Sequence, residues 1–184
     1  MTLTKTPICN FGEKAKSFDL LSTANKKISL NDIKGENGTL IMFICNHCPY
    51  VKAVVKDIVD DAKYLETLGI KSAAIMSNDV KNYPEDSFEN MVSFSKLHNF
   101  SFPYLIDETQ KIAKEYGAVC TPDFFGYNKN LELQYRGRIR ELKDLKPVRG
   151  DDSDLKVAMK LVAETGKGPK NQIPSMGCNI KWFK

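Results

Sequence analysis

The chain has 184 residues, 42% of them hydrophobic and 27% charged, which suits one domain spanning 1–184 and excludes a disordered chain. Its net charge of +4, spread along the sequence, is too mild for a nucleic-acid binder. No stretch approaches the roughly 18 apolar residues that cross a bilayer, and 1–12 is polar, so the expectation is a cytoplasmic protein with no membrane partner.

Residues 18–22 and 27–30 flank Thr23-Ala24-Asn25-Lys26 and read as an N-terminal β-hairpin. The run Leu40-Ile41-Met42-Phe43-Ile44 lacks alternation, as expected of a strand buried on both faces. From Pro49, apolar residues recur at Val51, Val54, Val55, Ile58, Ala62 and Leu65 with charges between them, a helical spacing that Gly69 ends. Ile70–Met76 is a second buried strand, giving a strand, helix and strand crossover. A helix over 85–97, a strand over 103–106, and a short helix capped by Asp107 and closed by Gly117 follow. Residues 123–127 and 131–139 form a second hairpin, 140–152 a charged loop, 153–165 a last amphipathic helix and 167–184 an irregular tail. This order predicts an α/β fold: a central mixed β-sheet with helices on both faces and an N-terminal hairpin extension.

Five cysteines at scattered positions do not make a secreted disulfide framework, and in a reducing compartment a close pair points to redox chemistry or metal. Cys45 and Cys48 fall where the buried strand meets its helix. Unpaired N–H groups of a first helical turn stabilise a thiolate there, which assigns attack and a lowered pKa to Cys45 and resolution to Cys48. His47 inside the loop donates to that thiolate, favouring the reduced form and a potential of about −180 to −120 mV rather than about −270 mV. Val119-Cys120-Thr121-Pro122 puts a proline in a loop ahead of a strand, a candidate cis peptide.

A C-x-x-C-P at a strand–helix junction, followed far along the chain by Thr121-Pro122 and a hairpin, resembles the thioredoxin superfamily. Within it, Asn46-His47-Cys48-Pro49-Tyr50-Val51, Cys120-Thr121-Pro122-Asp123-Phe124-Phe125, Tyr135-Arg136-Gly137-Arg138-Ile139 and Gly177-Cys178-Asn179-Ile180-Lys181-Trp182 are similar to the peroxiredoxin-like redoxin (AhpC/TSA-like) family. The resemblance implies a thioredoxin-like fold in which Thr121 and Pro122, with Cys120 beside them, face the cysteines and the substrate chain. The activity expected is a thiol–disulfide oxidoreductase needing no dissociable cofactor, acting on protein or small-molecule disulfides and restored by a reductase of thioredoxin type. The chain departs from the peroxiredoxin pattern Pro-x-x-x-Thr-x-x-Cys: aligned on Cys48, Ile41 stands for the proline and Cys45 for the threonine. It also lacks the aspartate that thioredoxins bury in the preceding strand, leaving Asp123 and His47 as candidate proton acceptors for Cys48.

Cys178 is a candidate third redox sulfur if the tail folds back, against plain packing beside Trp182. Cys120 is equally readable as a small buried residue. Cys9 falls in a segment expected to be mobile, and His98 is expected to cap the final carbonyls of its helix. Arg136 and Arg138, two apart on a strand, read as a solvated, salt-linked edge. Two further activities compete: a peroxiredoxin-like thiol peroxidase, and a module holding copper(I) or zinc through Cys45, Cys48 and His47 or Cys178. No metal ligand set is assigned.

Overall fold

A computed structural model describes residues 2–184. After β1 (Leu3–Lys5), β2 (Asp19–Ser22) and β3 (Lys27–Ser29) form the expected hairpin, with Asn25 in the left-handed region that a short polar side chain tolerates. β4 (Gly38–Phe43) is buried at every residue. α1 (Pro49–Thr67) opens on Pro49, whose missing N–H is no loss at a first helical position, and it buries the apolar stripe from Val51 to Leu65. β5 (Ile70–Met76) then runs parallel to β4, Gly38 opposite Ile70.

A 3₁₀ turn (Pro84–Asp86) leads to α2 (Phe88–Leu97). The Ser87 hydroxyl accepts from the Asn90 N–H, so the helix starts later than the periodicity predicts and Asp86 stays outside it. β6 (Tyr104–Ile106) precedes α3 (Lys111–Tyr116), where the Asp107 carboxylate accepts from the Ile112 and Ala113 N–H groups and Gly117 closes the helix at φ 65°. Next come β7 (Cys120–Thr121), β8 (Asp123–Asn128), β9 (Leu133–Tyr135), the small hairpin β10 (Leu142–Lys143) and β11 (Lys146–Pro147), α4 (Asp154–Thr165), and β12 (Met176–Asn179).

The main sheet has the order β3-β2-β6-β5-β4-β8-β9, with β4 and β5 parallel and β4 and β8 antiparallel. Alternation along β4 divides the core. Leu40 and Met42 pack with α1, α2 and α4 on one face, whereas Ile41 and Phe43 pack with α3 on the other. Each fully buried Leu, Ile or Met of this kind contributes about 1.5–3 kcal/mol of transfer free energy. The mixed sheet with helices on both faces is the expected one. Among the described residues, no helix is long and apolar enough to cross a membrane.

Three local expectations are corrected. The tail is not irregular throughout, because β12 is the middle strand of a second sheet, β1-β12-β7, with Leu3 and Thr121 both opposite Cys178. Met176-Gly177-Cys178-Asn179 is too short to announce a strand by periodicity, and Gly177 is required because a Cβ there would lie 1.9 Å from the Thr121 carbonyl oxygen. Pairing of β1 with β12 also anchors the N-terminal segment, so Cys9 packs half-buried against the α3-side core, its thiol pushed up to about 11 by burial. His98 caps α2 as expected, its backbone N–H donating to the Phe94 carbonyl while its ring sits edge-on to the Phe94 ring at 4.5 Å. Arg136 is no solvated edge: β9 ends at Tyr135, and the guanidinium turns inward over Phe125 to meet Asp123 at 2.9 Å.

Candidate active site

The loop between β4 and α1 carries Cys45, Asn46, His47 and Cys48, and the N-cap of α1 is Cys48. The Cys48 sulfur therefore sits at the positive end of the helix. The neighbouring Cys45 is the largest influence on Cys48. Burial opposes it, but with Cys178 and Thr121 adding to the effect of Cys45 the Cys48 pKa falls to about 5. Cys45 is pushed well above its ordinary value, by Cys48 first, then by burial and the Asp86 charge. Cys45 lies before the helix, while Cys48 sits on the helix end, where its thiol when protonated donates to the Thr121 carbonyl oxygen.

Three sulfurs converge. The Cys178 Sγ of β12 lies 3.0 Å from the Cys48 Sγ, and exposures of 1% for Cys45, 0% for Cys48 and 2% for Cys178 leave all three covered. Thr121 bridges them, its carbonyl oxygen 3.2 Å from the Cys48 Sγ and its hydroxyl 3.5 Å from the Cys45 Sγ. The Thr121–Pro122 peptide is cis. Thr121 thus reaches the cysteines as expected, but its antiparallel partner is Cys178 of the same chain. Cys120 stays apart, its thiol directed to the Pro122 carbonyl at 3.7 Å and raised by burial.

The acid near the cysteines is one the sequence did not reveal. Asp86, fully buried, accepts from the Asn46 N–H at 2.8 Å, the His47 N–H at 3.3 Å and the Asn78 side-chain amide at 2.8 Å, and pairs with His47 Nδ1 at 2.6 Å. Burial alone would raise the Asp86 pKa, but the bonds from His47, Asn78 and Asn46 together hold it below the usual carboxylate range. The same bond raises the His47 pKa. His47 therefore directs its Nδ1 to Asp86, with the Cys45 Sγ farther off at 3.9 Å. Its ring stacks on Tyr83 at 5.9 Å. Tyr104 completes the loop's support by donating to the Asn46 side-chain oxygen at 2.9 Å. Asp123, the other candidate acceptor, is tied to Arg136 and the Val119 N–H. It forms a buried ion pair, and burial raises its carboxyl above the usual range.

Cys45, His47 and Asp86 bring one ligand atom each within 4.8 Å of one another, a spacing that suits a metal. The short Nδ1 to carboxylate bond already joins two of the three, so a cation there would have to displace it. Beyond the sulfurs, a groove of about 240 Å³ reaches Pro122 and is walled by Tyr50, Ile139, Ile173 and Met176.

The AhpC/TSA family model matches residues 11–142, a span that includes the β4–α1 loop and the Thr121–Pro122 turn. The chain belongs to the AhpC/TSA family. An uncharacterized conserved protein from Geobacillus kaustophilus is 38% identical, with a TM-score of 0.93 covering 100% of this chain and 97% of that one. A hypothetical protein from Sinorhizobium meliloti 1021 is 34% identical, with a TM-score of 0.90 covering 99% of each chain. A thiol:disulfide interchange protein of the thioredoxin family from Chlorobium tepidum, 18% identical with a TM-score of 0.62, covers 83% of this chain and 97% of that one, and shares the thioredoxin-like fold. No curated protein matches the chain. The AhpC/TSA match ends before α4 and β12, so the strand carrying Cys178 lies outside the part the family model describes.

Proposed function

We propose that the chain is a thiol–disulfide oxidoreductase in which Cys48 carries the thiolate and Cys45 closes the disulfide. The observation that carries this reading is the Cys48 sulfur at the N-cap of α1, at the positive end of the helix, with the Cys178 Sγ 3.0 Å away. The Cys48 thiolate attacks one sulfur of a substrate disulfide, forming a mixed disulfide and releasing the first substrate thiolate, which takes up a proton. Cys45 then gives up its proton and attacks the Cys48 sulfur. The Cys45–Cys48 bond forms, the second substrate thiol leaves, and two enzyme thiols have been exchanged for two substrate thiols. A dithiol reductant, such as a reductase of thioredoxin type, returns the pair to the reduced state.

The covered sulfurs and the groove beside Pro122 favour a small disulfide over a folded protein. Turnover of glutathione disulfide tests the reading: Cys48→Ser is expected to lower the rate about a thousandfold or more, and a Cys48→Ser enzyme close to wild-type rate contradicts it. The same burial also suits a peroxide, on which Cys48 would form a sulfenic acid and an alcohol or water before Cys45 condensed with it to the disulfide and water. Peroxide consumption measured beside glutathione disulfide turnover separates these two oxidants.

A further inference from the structure

We propose that Cys178 is a third redox sulfur that exchanges with Cys45 for the bond to Cys48, so that the disulfide moves between the loop and the C-terminal strand. The inference rests on the reading of Cys45 and Cys48 as a redox pair and adds a residue that lies outside the matched family segment.

The placement of Cys178 is built. Gly177 lets β12 approach Thr121 where any side chain would collide, and the Cys178 Cα is paired with Thr121. The strand is pinned on both sides of the sulfur. The Ser175 hydroxyl donates to the Pro122 carbonyl at 2.7 Å, and the Lys181 N–H donates at 2.8 Å to the side-chain oxygen of Asn78, whose amide holds Asp86. Gln110 adds a clamp, its amide donating to the Lys181 carbonyl at 2.8 Å and its oxygen accepting from the Phe183 N–H at 2.9 Å. Cys178 is thus held against the sulfur common to both possible bonds, at 3.0 Å. Cys120, the other buried cysteine nearby, is turned to Pro122 instead.

Once the pair is oxidised, the exchange needs no further oxidant. The Cys178 thiol loses its proton and its sulfur attacks Cys48. The Cys48–Cys178 bond forms as the Cys45–Cys48 bond breaks, the electron pair leaves on Cys45, and Cys45 takes up the proton, with the Thr121 hydroxyl 3.5 Å away to bond the departing sulfur. One disulfide and one thiol are present before and after. Cys178 is held up to about 12 by burial first and by the Cys48 thiolate next, and oxidation of Cys48 removes that second influence when the attack is due. A Cys48–Cys178 bond fastens β12 over the loop, and a Cys45–Cys48 bond leaves the strand held by hydrogen bonds alone.

Disulfide mapping of the full-length protein treated with oxidised glutathione tests this. Wild type is expected to show both the Cys45–Cys48 and the Cys48–Cys178 linkages. Cys45→Ser is expected to lose alkylation at Cys48 and Cys178 together, with no glutathione retained. Cys178→Ser is expected to show Cys45–Cys48 alone. A wild type with Cys45–Cys48 as its sole linkage, together with a folded Cys45→Ser protein that keeps a glutathione adduct on Cys48 and a free Cys178 thiol, overturns the exchange but leaves the dithiol reading standing. A wild type that forms neither linkage overturns both.

Discussion

Asp86 organises the β4–α1 loop by accepting four hydrogen bonds, two from backbone N–H groups of the loop itself. Its bond with His47 is charge-assisted, and losing such a bond costs about 1–3 kcal/mol. His47→Gln should therefore destabilise the protein by about that amount where the ion pair is formed. Because the folded state raises the His47 pKa, the contribution is complete below the unfolded value of about 6.5 and fades as pH rises through the raised folded value. On the acid side it fades as pH falls through the lowered Asp86 value. Denaturant unfolding of wild type and His47→Gln across about pH 5 to 9 should show a gap that narrows toward the alkaline end, and a gap independent of pH contradicts the ion pair. Cys45, His47 and Cys48 were legible in sequence because they share one short motif. Asp86 was not, since nothing in local spacing links it to a loop some forty residues earlier, and the helical periodicity over 85–97 includes it. The Ser87 cap was the available signal that it lay outside α2.

At the scale of elements, β4, α1 and β5 were readable because complete burial and a 3.6-residue apolar stripe leave strong marks. Arg136 was misread for the opposite reason, since a charge in the sequence does not say what it meets. Arg140 and Arg149 both reach Asp57 of α1, at 3.1 and 2.5 Å, and so fasten the charged loop to that helix. Ser153 makes a second joint. Its hydroxyl accepts from the Lys156 N–H to cap α4 and donates to the buried Asp61 carboxylate of α1. Burial raises the Asp61 pKa to about 6, with the Ser153 bond working against that rise. Ser153→Ala removes cap and partner together, so a loss of about 2 kcal/mol in equilibrium unfolding is expected. A loss below about 0.5 kcal/mol would show that the joint carries no load.

Across the whole molecule, the two chain ends meet over the chemistry, β1 and β12 closing on β7. Such long-range pairing of very short strands leaves no periodic trace, which is why the family motifs gave the thioredoxin-like fold while the closure of the site became visible only in three dimensions. Removing residues 175–184 should uncover the sulfurs and speed their alkylation at neutral pH by about tenfold or more, provided circular dichroism shows the main sheet intact. An unchanged rate in the folded truncated protein contradicts the closure. The account as a whole turns on which sulfur carries the charge. Site-resolved alkylation of the reduced protein against pH, with each cysteine followed by mass spectrometry, decides this most directly. Cys48 is expected to titrate near 5 while Cys45 and Cys178 stay protonated past 9, and a Cys45 that titrates first contradicts the account.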